Sequence, residues 1–291
     1  MRDALGAVLD DIRQQQRHGA WLDPERVAIV GYSQGGLNAL FLADMEMRNP
    51  YLGIDRYLAI DPPVDLMKAL AKLDDYYRSL DDMGVDKALA VVAMNAGNYL
   101  YTSPTPAELH RRGEDGSTLP AETPGGGNEK VRVDQVPVER QAAQMLIGYS
   151  FKRTLEDMLI CMHHRHPVNG IATPYRWGDR QALYDELAAW SFQRYCTEVL
   201  LPYYSERRGK PVTLEELNAG AGLRAIESTL RHHPRIRVIH TADDFLLDRE
   251  DREYLRRVLG DRLTVFENGG HLGNLYREEV QNRVVEYFKA P

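Results

Sequence analysis

Arg26-Val27-Ala28-Ile29-Val30-Gly31-Tyr32-Ser33-Gln34-Gly35-Gly36-Leu37 contains an abrupt change of period. Its first half is a short β-branched run, apolar at successive rather than alternate positions, which predicts a strand buried on both faces. From Leu37 onward the apolar residues fall at Leu37, Leu40 and Phe41, a helical spacing that runs to the break at Asn49-Pro50. A strand, a sharp turn and a helix are therefore expected in succession. So tight a turn requires small residues on either side of Ser33, which accounts for glycine at both Gly31 and Gly35. The Ser33 hydroxyl is pushed out of the sheet. The helix that starts at Gln34 directs its free N–H groups and the positive end of its dipole at the same place.

Working outward, Leu5, Val8, Leu9 and Ile12 have the spacing of an amphipathic helix, ended by Asp23-Pro24. Arg56 to Asp61 reads as the next strand, stopped by Pro62-Pro63, and the intervening helix makes a parallel crossover. The theme returns near the C-terminus. Strand Ile236–His240, a helix from Arg249 to Leu259, strand Leu263–Phe266 and a last helix from Arg277 to Lys289 are expected, giving about four parallel strands. Between Val64 and Arg235 no strand-helix alternation is visible. That stretch is helical and Tyr-rich, broken by a long loop from Ser103 to Val138 with its Pro and Gly runs. The organisation expected is a core in two parts, 1–63 and 236–291, with a large helical cap inserted at 64–235.

Composition narrows the classes of function. The chain has 291 residues, 36 Lys+Arg against 43 Asp+Glu for a net charge of −7, 43% hydrophobic residues and two cysteines. This length buries a stable core without disulfides or metals, and collagen-like, low-complexity and disulfide-stapled proteins are excluded. Apolar runs such as Val27 to Val30 are far shorter than the roughly 20 residues that cross a bilayer, and mean hydropathy is negative. A pI near 5.8 offers no general attraction for nucleic acid. Cys161 and Cys196 have neither redox nor metal spacing and are expected as buried small hydrophobes. Met1-Arg2-Asp3 opens neither a signal peptide nor a lipidation motif, so the chain as written is expected in the cytoplasm.

Gly31-Tyr32-Ser33-Gln34-Gly35 matches G-x-S-x-G in the strand-turn-helix setting where the motif carries chemistry. A serine is a poor nucleophile at neutral pH, so this reading needs a base, and the base needs an orienting acid. His271 follows Asn268-Gly269-Gly270 after the last expected strand, in a flexible loop able to cross the carboxyl edge of the sheet. Asp243 and Asp244 follow the strand before it. The backbone N–H of Gln34 is placed to donate to a developing oxyanion.

These features resemble the α/β-hydrolase superfamily, through Gly31-Tyr32-Ser33-Gln34-Gly35-Gly36, His240-Thr241-Ala242-Asp243-Asp244-Phe245-Leu246-Leu247 and Gly269-Gly270-His271. The resemblance implies a serine hydrolase that cleaves a carboxylic ester, thioester or amide through an acyl-enzyme. Ser33, His271 and Asp244 would form its triad, and no cofactor or metal would be required. Thr241 lies where the family's acid motif has a small residue three positions before the acid, which favours Asp244 and leaves Asp243 as the alternative. Family members carry several strands before the nucleophile strand and draw their second oxyanion donor from a loop among them. Here one helix precedes that strand, so the chain looks N-terminally truncated against the pattern, and no second donor is found in it. A strand as apolar as Val27–Val30 left at an open edge would favour a homodimer through that edge. The reading from a different class is a non-catalytic or truncated hydrolase fragment that acts as an interaction or split-protein component. The expected partner is a small-molecule or lipid-like acyl substrate, with no nucleic acid.

Other features carry less. Cys161-Met162-His163-His164-Arg165-His166 puts His163 and His166 on one helical face but matches no zinc signature, and reads as a polar helix end. His232-His233 before Pro234 reads as a helix terminus, and Arg252, Arg256 and Arg257 as a solvated face. Tyr76, Tyr77, Tyr175, Trp177, Trp190, Tyr203 and Tyr204 are candidates to line an acyl pocket or to fill the cap's own core.

Overall fold

In the computed structural model, which describes residues 1–16, 27–83 and 140–289, the β-branched runs form one parallel sheet. Its strands are β1 (Val27–Tyr32), β2 (Ile54–Ile60), β3 (Ile236–Thr241) and β4 (Leu263–Phe266), ordered β1-β2-β3-β4. All three pairings are parallel, with Gly31 beside Ala59, Ala59 beside Val238 and Val238 beside Leu263. The α/β class and the four strands are those expected. Asp23-Pro24 and the loop from Ser103 to Val138 lie outside the described residues.

Side chains alternate across the pleat, so each strand serves two layers. On one face Tyr57 and Ala59 of β2 and Ile236 and Val238 of β3 pack with helices α1 (Arg2–Gln16), α2 (Gln34–Arg48) and, later in the chain, the helix Arg249–Leu259. On the other, Leu58, Ile60 and Ile239 meet Val284, Tyr287 and Phe288 of the last helix, Glu278–Lys289. β2 is thereby enclosed on both sides. β1 is not: Val27 and Ile29 join the first core, while Val30 and Tyr32, pointing the other way, are 37% and 49% exposed. This corrects the expectation of a strand buried on both faces. The last helix covers β2 and β3, and among the described residues β1 has a strand neighbour on one side only.

The chain divides into two compact units, residues 1–72 with 196–291, and residues 73–195. The boundaries fall inside the 64–235 segment expected as one insertion. Residues on either side of it belong with the sheet: Leu223 N–H donates to Val64 O at 2.9 Å, and Leu223, Ile226 and Leu230 are buried in the core beside α2.

The unit 73–195 is built around a helix, α3 (Arg140–Arg165), with the shorter α4 (Gln181–Leu187). Gly148 lets the backbone at Tyr76-Tyr77 come so close that a Cβ would lie 2.5 Å from it. Asp74 accepts from the N–H groups of Phe192 and Gln193 at 2.8 and 3.0 Å. Lys152 is buried and donates to the carbonyls of Leu187 and Trp190; burial lowers its pKa despite the nearby Glu156. Trp190 and Tyr76 are core residues here, and Trp177 is exposed. Cys161 is exposed and Cys196 buried, which corrects the expectation that both are buried, because Cys161 falls on the outer face of α3. Among the described residues no helix is long and apolar enough to cross a membrane.

Candidate active site

Because all four strands run the same way, their carboxyl ends line one edge of the sheet, where ligands of open α/β sheets bind. Each strand is followed there by a residue able to do acid-base or nucleophilic chemistry: Ser33 after β1, Asp61 after β2, Asp243 and Asp244 after β3, and His271 after β4.

Ser33 sits between β1 and α2 with φ 50° and ψ −121°, a conformation that costs a non-glycine residue about 1–3 kcal/mol. Two backbone bonds hold it there. Its N–H donates to Ile60 O at 2.8 Å, and its carbonyl accepts the first helical bond from Leu37 N at 3.1 Å. Gly31 is required by space, since a Cβ would lie 2.2 Å from Gly35 O. Gly36 brings α2 close to the sheet, 3.3 Å from Ala59 Cβ by the same test. Gly35 corrects the sequence expectation: a Cβ there would meet nothing within 4 Å, because its side-chain direction faces open space. The crowded position is Gly31.

His271 must cross from β4 back to β1, three strand spacings or roughly 14 Å. The loop that carries it turns through Gly269 (φ 150°), Gly270 (φ 58°) and Leu272 (φ 62°), and a Cβ on Gly269 would lie 2.5 Å from Asn274 Cβ. Three anchors from elsewhere hold the loop. Asp243 accepts from Gly269 N at 3.2 Å and Gly270 N at 2.7 Å, Thr241 Oγ1 donates to Gly270 O, and Asp61 accepts from Leu272 N at 2.9 Å.

Held in this way, His271 Nδ1 lies 2.9 Å from Asp244 Oδ2, and Nε2 lies 2.8 Å from Ser33 Oγ. A carboxylate only accepts, so Nδ1 carries the proton and Nε2 presents its lone pair to the serine hydroxyl. The Asp244 side chain has no exposure, and its other oxygen accepts from Leu246 N at 2.9 Å. Phe245 stands edge-on to the imidazole at 5.7 Å. Of the two aspartates left open by the sequence, Asp244 pairs with the histidine and Asp243 ties down the histidine's loop.

The sequence reading passed over Asp61 and His240. Asp61 read as the end of a strand stopped by two prolines; its positive φ of 47° shows only in the fold. Asp61, His240 and Asp244 are the buried group among the described residues whose ligand atoms lie close enough to hold a metal ion. Their oxygens already accept from the N–H groups of Thr241, Leu272 and Leu246 and from His271. Of the histidine run on α3, His163 Nδ1 accepts from Val168 N at 3.0 Å and His164 packs on Tyr175, the environment of a helix end.

The parallel sheet, the strained strand-to-helix elbow and the chain order serine, aspartate, histidine are the parts that the resemblance drawn from the sequence leads one to expect. No protein-family model matches the chain, and no curated protein does. Among solved structures it is similar to VinJ, at 11% identity over 98% of this chain and 71% of that one, with a TM-score of 0.34. It is also similar to the thioesterase domain from the curacin biosynthetic pathway, at 13% identity over 97% and 72%, with a TM-score of 0.32.

Proposed function

We propose that this chain is a serine hydrolase that cleaves a carboxylic ester, thioester or amide through an acyl-enzyme. The observation that carries the reading is the unbroken line of hydrogen bonds from Ser33 Oγ through both nitrogens of His271 to buried Asp244. Packing alone has no use for a strained serine aimed at an oriented imidazole.

In the proposed reaction Ser33 Oγ bonds to the substrate carbonyl carbon while its proton passes to His271 Nε2. The carbonyl oxygen gains the negative charge, and the Gln34 N–H, free at the start of α2, donates to it. Collapse of the tetrahedral species breaks the bond to the leaving group, which takes the proton from Nε2. Water then attacks the acyl-Ser33 ester with the same imidazole as base, and the acid product leaves with Ser33 restored. Asp244 holds the tautomer and stabilises the imidazolium throughout.

The test is labelling of the full chain with a fluorophosphonate probe, which needs no knowledge of the substrate. Wild type is expected to label, and Ser33→Ala and His271→Ala are expected to lose it. Folded wild type that fails to label would leave the non-catalytic reading in its place.

A further inference from the structure

His240, next to last in β3, is 2% exposed and has no role in the reaction just described. Its Nε2 lies 3.2 Å from Pro62 O, an atom that only accepts, so Nε2 carries a proton. Its Nδ1 lies 3.1 Å from Asp61 Oδ1 and 3.5 Å from Asp244 Oδ2, again acceptors. A neutral ring protonated at Nε2 would accept Thr241 N–H at Nδ1; with two carboxylate oxygens also facing Nδ1, the imidazolium is the form that offers them a donor. Thr241 N–H, 3.2 Å from both Nδ1 and Asp61 Oδ1, then donates to the carboxylate. Burial opposes the charge on His240. The hydrogen bond to Asp61 and the fields of Asp244 and Asp61 outweigh it, raising the imidazole pKa above its ordinary value. Arg252 and Arg256 line a small cavity beside the ring, and Arg252 is committed to Leu247 O at 2.7 Å.

Asp61 explains why such a cation is needed. It anchors the His271 loop through Leu272 N–H, and in doing so it brings a second carboxylate beside the one that orients His271. Two buried carboxylates with no cation between them would repel each other and would favour a proton on His271, which occupies the base.

We propose that His240 is a positioning residue of this site, a cationic bridge between Asp61 and Asp244 that aims the Asp244 carboxylate at His271 and offsets the charge of Asp61. The role given to Asp244 rests on the hydrolase reading; the bridge rests on the geometry.

The experiment is fluorophosphonate labelling of the full chain across pH, wild type against His240→Gln, with imidazole NMR on the same samples. Glutamine keeps an N–H donor and loses the charge. Labelling at pH 7 is expected to slow about tenfold, and the midpoint of its pH dependence to move up by about one unit. In wild type both ring nitrogens of His240 are expected to be protonated at pH 7. A singly protonated His240 in wild type overturns the proposal. So does a variant that labels more slowly with an unmoved midpoint, which is what a purely structural role gives. If His240→Gln does not fold, Asp61→Asn replaces it, with loss of the second His240 proton at pH 7 and slower labelling expected; unchanged labelling overturns the proposal. Wild type that labels no better than Ser33→Ala overturns the hydrolase reading instead. The bridge is then judged by the wild-type His240 protons and by the His271 titration in the variant, neither of which needs turnover.

Discussion

The elbow that carries Ser33 is held by atoms close to it in sequence and by one neighbouring strand, whereas the loop that carries His271 is held by side chains at and just beyond the ends of β2 and β3. At the elbow the fit is a matter of backbone: Gly31 against Gly35, and Ser33 N–H on Ile60 O. At the loop it is a matter of side chains, with Asp61, Thr241 and Asp243 each taking one or two backbone groups of residues 269–272. The difference teaches that two halves of one site can be fixed by forces of different range. On the proposed hydrolase reading, a rigid turn suits a nucleophile that leaves the sheet beside its own strand, and a tethered loop suits a base that has to cross the sheet.

The largest effect that would sharpen this comparison separates the adjacent aspartates. Asp244→Asn removes the acceptor that fixes the His271 tautomer and should slow fluorophosphonate labelling on the order of 10³–10⁴-fold. Asp243→Ala releases two loop N–H groups that water can reach and should slow it only about tenfold. Equal losses would break the distinction between an orienting acid and a loop anchor.

The elbow is tested next, by paired substitutions and denaturant unfolding. Gly31→Ala forces a methyl group into the backbone of Gly35 and should cost about 3 kcal/mol. Gly35→Ala meets open space and should change stability by less than about 1 kcal/mol, toward greater stability from helix propensity. A costly Gly35→Ala would show that the crowding at the turn lies elsewhere.

Titration affects the loop side. His240 has a raised pKa in the fold, so its charged partners stabilise the native state fully below the ordinary imidazole value of about 6.5. That contribution is lost as pH rises through the folded value. Amide exchange at Thr241 and Leu272 should therefore accelerate above neutrality beyond the intrinsic chemical rate, while exchange at Ser33 follows the intrinsic rate alone. A modest effect is expected of Thr241→Val, which deletes one hydrogen bond to Gly270 O and should cost about 1 kcal/mol in the same unfolding measurement.

What was legible in the sequence follows the same division. The four strands, the helix Arg249–Leu259 and the Ser33 elbow could be read because periodicity, β-branching and glycine placement act over a few residues. Ser33, His271 and the pair Asp243-Asp244 could be nominated because the chemistry of a serine nucleophile demands such partners, and the α/β-hydrolase resemblance favoured Asp244 of the pair. Gly35 was misread, since a motif shows which residues recur but not which of them is crowded. Cys161 was misplaced because a helix with no strong amphipathic signal, α3, does not declare its outer face.

By itself, the sequence determined the parallel α/β layering and put a serine, a histidine and a pair of aspartates each just after a strand. Local propensity and the polarity of the chain are enough for that. Only the tertiary structure decided that Asp244 rather than Asp243 faces His271, that Asp61 holds the loop opposite, and that among the described residues β1 lies at an edge of the sheet with Val30 and Tyr32 exposed. Those outcomes depend on which strand ends lie side by side and on what covers each face. Contacts between residues some thirty to two hundred positions apart leave no periodic trace in either partner.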